Sequence, residues 1–262
     1  MSSTLPRALL EIRYDRSARA YLASLPPEHH MEATPQATQR EISVESFAVL
    51  KLRRPEVHYF NELLVQYPFG RMGETKQVVP DNMVVLHDGP LVIGNSFAVE
   101  LQPVEPFLVL EYVSKSSERK DYEENFRKYE RELKVPYYLL FYPETQDLTL
   151  FHRAKTRYVS VKPNEAGRLA IPELDLEVAL LDEWARYWFR GELLQLPGDL
   201  QTSLDEAREE ARRAEEKARR AEERARRAEE RARQAQGKEV EERRQKEKLL
   251  AQLRTLGVQP DL

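Results

Sequence analysis

Short blocks of Val, Leu, Ile and aromatic residues, punctuated by Pro, Gly and Asp, fill the middle of the chain, and a seven-residue charge pattern fills its end. The blocks "NMVVLH" (82–87), "FLVLEYV" (107–113), "YYLLFY" (137–142) and "LTLFHR" (148–153) have the length and the β-branched or aromatic content of strands. Between the second and third lies "SSERKDYEENFRKYERELKV", in which Tyr122, Phe126, Tyr129 and Leu133 recur at spacings of four, three and four. That is one apolar face of a helix. Strand, crossover helix and strand form a βαβ-like unit, so the pattern predicts an α/β (α+β) fold with a mixed central sheet flanked by helices.

Upstream, "TPQATQREISVESFAVL" (34–50) predicts a helix, with Thr34 suited to the cap and Pro35 to the first helical position. "VHYFNELLVQYPFG" mixes signals and predicts a strand over 58–66. "RYVSVKP" and "LEVALL" read as edge strands or turns, and the aromatic segment "EWARYWFRGELL" closes the domain. Residues 1–30 read as an N-terminal arm, because "SLPPEHH" interrupts the periodicity; 31–197 read as the globular domain and 198–262 as a helical tail.

In the tail, "RRAEEKA", "RRAEERA" and "RRAEERA" occupy 212–218, 219–225 and 226–232. From Leu204 to Ala235 the small apolar residues step by alternating three and four, the a/d seam of a coiled coil. Glu215 to Arg219, Glu216 to Arg220, Glu222 to Arg226 and Glu223 to Arg227 are helix pairs in the favourable order, each worth about 0.2–0.5 kcal/mol. Alanine knobs bury little area, so two readings stand: a coiled coil that pairs copies of the chain, extended by Leu249, Leu253 and Leu256, or a solitary charged spacer helix. Gly237 predicts a kink or an end to the regular part.

Charge and composition narrow the chemistry. From Asp199 onward the chain carries 17 of its 41 Lys and Arg and 16 of its 45 Asp and Glu, but no aromatic residue. With a net charge of −4, it lacks the broad basic footprint of a tight nucleic-acid binder. No run of about 18 apolar residues suggests a membrane span, and the charged, Pro6-containing start does not read as a secretory leader. The absence of cysteine excludes disulfides, thiol catalysis and Cys-based zinc sites, and the scattered histidines leave oxygen as the ligand of any metal.

Two carboxylates draw attention, Asp81 in "VVPDNMVV" and Glu111 in "FLVLEYVSKSSERKD". A charged group beside a core strand is costly unless it is satisfied or used. If the two face one cleft, they offer Mg²⁺ its hard anionic oxygens; otherwise Asp81 caps a turn after Pro80 and Glu111 pairs with a neighbouring Lys or Arg. Glu74, in "GRMGETKQ", is either a further ligand or a solvated loop carboxylate. Asp121 is either an N-terminal helix charge or a partner behind the site. Gln36 and Gln39 are expected at the solvent face of the early helix, with the cleft as the alternative, and Tyr129, Tyr137 and Tyr138 are expected in the core.

"PD" before a β-run, then "PFLVLEYVSKS", then Asp121 with a tyrosine eight residues on, then "VPYYLLFYP", together resemble the bacterial Uma-type restriction endonuclease family, a branch of the PD-(D/E)XK nucleases, over roughly residues 30 to 185. The resemblance implies a restriction-endonuclease-like core, DNA phosphodiester cleavage dependent on Mg²⁺ or Mn²⁺, and a cytoplasmic protein. Asp81 and Glu111 match the metal-binding acids. The lysine expected two residues after the second acid is replaced by Val113, and the alternative position four residues after Asp121 is Asn125. Lys115, Lys120 and Lys128 are the substitutes within reach in sequence, and Asn125 could position a water without bringing charge. The other reading is a weakened or inactive nuclease-fold module that binds nucleic acid or protein and oligomerises through its tail.

Overall fold

The computed structural model describes residues 6–25, 34–69, 74–91, 93–113 and 120–255. The chain divides into two compact units, Met1–Leu196 and Pro197–Leu262.

The first unit is organised around a six-stranded mixed sheet, order β1-β4-β6-β7-β8-β9. Its strands are β1 (Val57–Asn61), β4 (Asn82–Leu86), β6 (Leu108–Tyr112), β7 (Tyr137–Tyr142), β8 (Asp147–Ala154) and β9 (Arg157–Ser160). Within this sheet only β6 and β7 pair in parallel, and they are the two strands joined by the expected crossover. Every residue of β6 is buried, Glu111 included, which is why its sequence shows no apolar–polar alternation.

Two cores lie on the two faces. Val84, Leu108, Leu110, Leu139 and Phe141 point to one, where they meet Phe47 and Leu50 of α2 (Thr34–Arg53) and Val178 and Tyr187 of a second sheet. That sheet is the four-stranded meander β10-β11-β12-β13, comprising Leu169–Ile171, Leu176–Leu181, Trp184–Phe189 and Glu192–Leu193. Met83, Val85, Val109, Tyr138 and Leu140, the alternate residues, point to the other core and meet Tyr129, Leu133 and a three-stranded sheet, order β3-β2-β5. This third sheet comprises β2 (Val65–Phe69), β3 (Glu74–Val78) and β5 (Phe97–Ala98). The period-2 alternation thus sorts β4, β6 and β7 between the two cores.

The single strand expected over 58–66 is two strands, β1 and β2, in different sheets. Glu62, with φ 47°, sits between them in a left-handed conformation that interrupts the extended chain. The N-terminal arm contains a helix, α1 (Arg7–Ser24), which is docked: Tyr14 and Ala18 are buried, the Tyr14 hydroxyl bonds Glu100, and Gln77 Nε2 donates to Ser17 Oγ at 2.8 Å. Gln36 and Gln39 are buried, against the expectation of solvent exposure. Gln39 exchanges two hydrogen bonds with the Ala185 backbone, tying α2 to β12.

The crossover is wound mainly as π-helix, over Lys120–Asn125 and Lys128–Glu132, with Leu133 N donating to Lys128 O at 2.9 Å, an i to i+5 bond. The described residues of the second unit form one helix, α3 (Pro197–Thr255), whose side chains from Gln201 to Gln252 are almost all exposed. It passes through Gly237 without the expected break: its Ala, Glu, Lys and Arg neighbours are strong helix formers, which offsets a cost of about 1 kcal/mol for one glycine. Two of the four expected charge pairs close at 2.6 Å, Glu216 with Arg220 and Glu223 with Arg227.

Candidate nuclease site

Strand register brings the two acids together. β4 and β6 pair antiparallel with Asn82 opposite Leu110, so Asp81, one residue before β4, falls opposite Glu111. Glu111 lies between Val109 and Val113 and shares their face, and the same alternation counted back from Val85 and Met83 assigns Asp81 to that face. The Asp81 carboxylate is tied to β6 directly, because the Tyr112 backbone N–H donates to its Oδ2 at 2.6 Å.

Glu111 is 3% exposed. Its Oε1 accepts from Asn125 Nδ2 at 3.1 Å and from the Tyr129 hydroxyl at 2.6 Å, both on the π-helical crossover. Burial, then the charge of Glu111, holds the Tyr129 phenol well above its ordinary pKa, so it remains a neutral donor. Both of these donors are uncharged. Asn125, at the position where the family pattern wants lysine, holds the carboxylate in place.

On the α2 side, Arg40 Nη2 lies 3.6 Å from Asp81 Oδ1 and 3.0 Å from Glu62 Oε1. Glu62 N donates to Asp81 O at 3.1 Å, so Glu62, Asp81 and Glu111 stand in one row across β1, β4 and β6. Below this row the Tyr112 hydroxyl is bonded to Asn82 Oδ1 and lies 2.7 Å from Ser43 Oγ, which is 2.9 Å from the Tyr187 hydroxyl. Burial raises the pKa of Tyr112 and Tyr187 as well, so this network is neutral and fixes β4 and β6 to α2.

The remaining candidates divide. Lys128 is half-buried and immediately precedes Tyr129. Tyr129, four positions after Asn125, joins Asn125 on Glu111. Glu74 is exposed at the start of β3, in a different sheet from the carboxylate pair. Lys115 lies outside the described residues; Lys120 and Asp121 lie on the π-helical crossover, their side chains outside the description. Arg40 and the Tyr112 N–H were not singled out from sequence, and Tyr129 was expected in the core. A four-residue spacing from Asn125 could have indicated Tyr129, but nothing local marks Arg40, which meets Asp81 only through the tertiary fold.

Among the described residues no group of three or more His, Asp or Glu forms a metal-sized cluster. A pair of carboxylates nonetheless fits a hard cation of the Mg²⁺ kind, which commonly takes one or two protein carboxylates and completes its shell with water and substrate phosphate.

The first unit is thus a mixed sheet covered on both faces, with two acids in register on neighbouring strands. The chain belongs to the Uma2 family, described as "Putative restriction endonuclease", whose model matches residues 29–182. Among solved structures it is similar to a protein described as a "putative nuclease belonging to DUF820" from Anabaena variabilis, with 15% identity over 55% of this chain and 75% of that one and a TM-score of 0.43. No curated protein matches. No helix among the described residues is long and apolar enough to cross a membrane.

Proposed function

We propose that the protein is a Mg²⁺- or Mn²⁺-dependent endonuclease that hydrolyses DNA phosphodiester bonds, with Asp81 and Glu111 as the residues that hold the ion. The observation that supports this reading is the register that sets Asp81 opposite Glu111, with each carboxylate oriented by its own donors. A divalent ion bound there supplies the positive charge that polarises a phosphodiester. The protein contributes positioning: the Tyr112 N–H fixes Asp81, and Asn125 and Tyr129 fix Glu111. Groups held this firmly need no reorganisation when substrate arrives.

The test is nicking of supercoiled plasmid with Mg²⁺ or Mn²⁺ by the wild type and by Asp81→Asn and Glu111→Gln, which keep the shape of each side chain. Cleavage by the wild type, reduced about a hundredfold or more in both variants, is the expected result. Equal nicking by all three proteins would assign the activity elsewhere. The tail is proposed to pair two copies of the chain along its alanine seam.

A further inference from the structure

We propose that Arg40 is a fixed positive charge of this site: it balances Asp81 until a divalent ion binds, and then faces the phosphate of the substrate. The inference rests on reading Asp81 and Glu111 as the metal-holding pair. Nuclease sites of this type are expected to carry a lysine beside their acids, and Val113 and Asn125 occupy the two positions where the sequence would place it. Val113 is buried in the core beneath the sheet, and Asn125 is spent on Glu111. Among the described residues, the structure brings a guanidinium from α2 against Asp81, 3.6 Å from Oδ1, with the side chain mostly shielded from solvent.

Geometry and chemistry fit the role. Glu62 holds the same Nη2 at 3.0 Å, so the guanidinium is set between two carboxylates and does not sweep through solvent. Arginine presents several N–H donors in a planar fork suited to phosphate oxygens, and two of them can engage a ligand while another remains on Glu62. A guanidinium neither gives nor takes a proton in such a reaction. Its part is electrostatic, on charge that grows at the phosphate as the bond to the leaving oxygen breaks. While Asp81 lacks a cation, Arg40 supplies one; an arriving divalent ion must compete with it for Oδ1. A lysine placed nearer the phosphate would not impose that competition, so the arrangement predicts weaker resting affinity for metal.

The experiment measures Mn²⁺ binding by calorimetry, and plasmid nicking, for the full-length wild type, Arg40→Gln and Arg40→Lys, each checked for folding by urea denaturation. Arg40→Gln is expected to bind Mn²⁺ about fivefold more tightly, the factor corresponding to loss of an ion pair of about 1 kcal/mol, while nicking at least tenfold more slowly. Arg40→Lys is expected to keep the wild-type affinity and recover part of the nicking. Unchanged Mn²⁺ affinity in folded Arg40→Gln would overturn the proposal, and tighter binding with undiminished nicking would overturn its second half. If the wild type binds no Mn²⁺, the metal-pair reading itself has failed and the proposal falls with it. That failure is recognised in the parent protein before any variant is compared.

Discussion

Glu111 is a buried acid whose Oε1 accepts from two neutral side chains, and that arrangement sets what each donor is worth. A hydrogen bond to a charged group is worth about 1.5–3 kcal/mol, so Tyr129→Phe is expected to lower the free energy of unfolding by about that amount. Urea denaturation measures the loss. Nicking activity should fall as well, because the carboxylate loses one of the donors that orient it. An unchanged unfolding midpoint together with unchanged nicking would mean that Tyr129 is only packing, which is all its apolar spacing in the sequence suggested. The acids themselves were legible, because a carboxylate beside a core strand is conspicuous. Their contacts were not: Asn125 and Tyr129 stood out in the sequence, but they reach Glu111 only because the crossover docks on that face, and Arg40 lies 41 residues before Asp81 in the chain.

Elements whose pattern is carried by their own residues were readable; those set by partners were not. The strands 82–86, 108–112 and 137–142 follow the apolar blocks closely, since burial on both faces leaves a continuous signal. The break at Glu62 is a backbone event between two sheets, and an apolar count across 58–66 cannot separate one strand from two. The π winding of the crossover was hidden for a related reason: a spacing of four, three and four marks a helical face without fixing its pitch. In α3 the repeat fixes the helix, but the occupant of the alanine seam is an intermolecular question. Such a seam buries little area per residue, so pairing should be weak and concentration-dependent. Sedimentation of the full chain is expected to show a monomer–dimer equilibrium, and a chain ending at Leu196 should remain monomeric. Monomer masses for both at high concentration would assign α3 to the spacer reading.

Across the whole molecule, the buried phenols make stability depend on alkaline pH. Among the described residues, Tyr14, Tyr67, Tyr112, Tyr129, Tyr137, Tyr158 and Tyr187 all have raised pKa values, with burial as the largest cause in each. In the unfolded chain each ionises near 10, whereas in the folded protein each holds its proton to higher pH. Above about pH 10 the unfolded state therefore binds fewer protons than the native one, and the free energy of unfolding must fall as pH rises. The stabilisation is fully present below that pH, so these groups add no slope between about pH 6 and 9. The phenols sit in both cores, under α1 and at the Glu111 contact, so their ionisation opposes refolding throughout the first unit instead of loosening one edge. Urea midpoints followed by tryptophan fluorescence are suited to the test, because Trp184 and Trp188 both lie in β12, within the first unit. The midpoint should be nearly flat up to about pH 9 and then drop steeply, with tyrosinate absorbance rising together with unfolding. Absorbance that rises near pH 10 by the amount expected for all twelve tyrosines while the fold persists would mean that these phenols reach solvent in the native state, and the donor role assigned to Tyr129 would lose its basis.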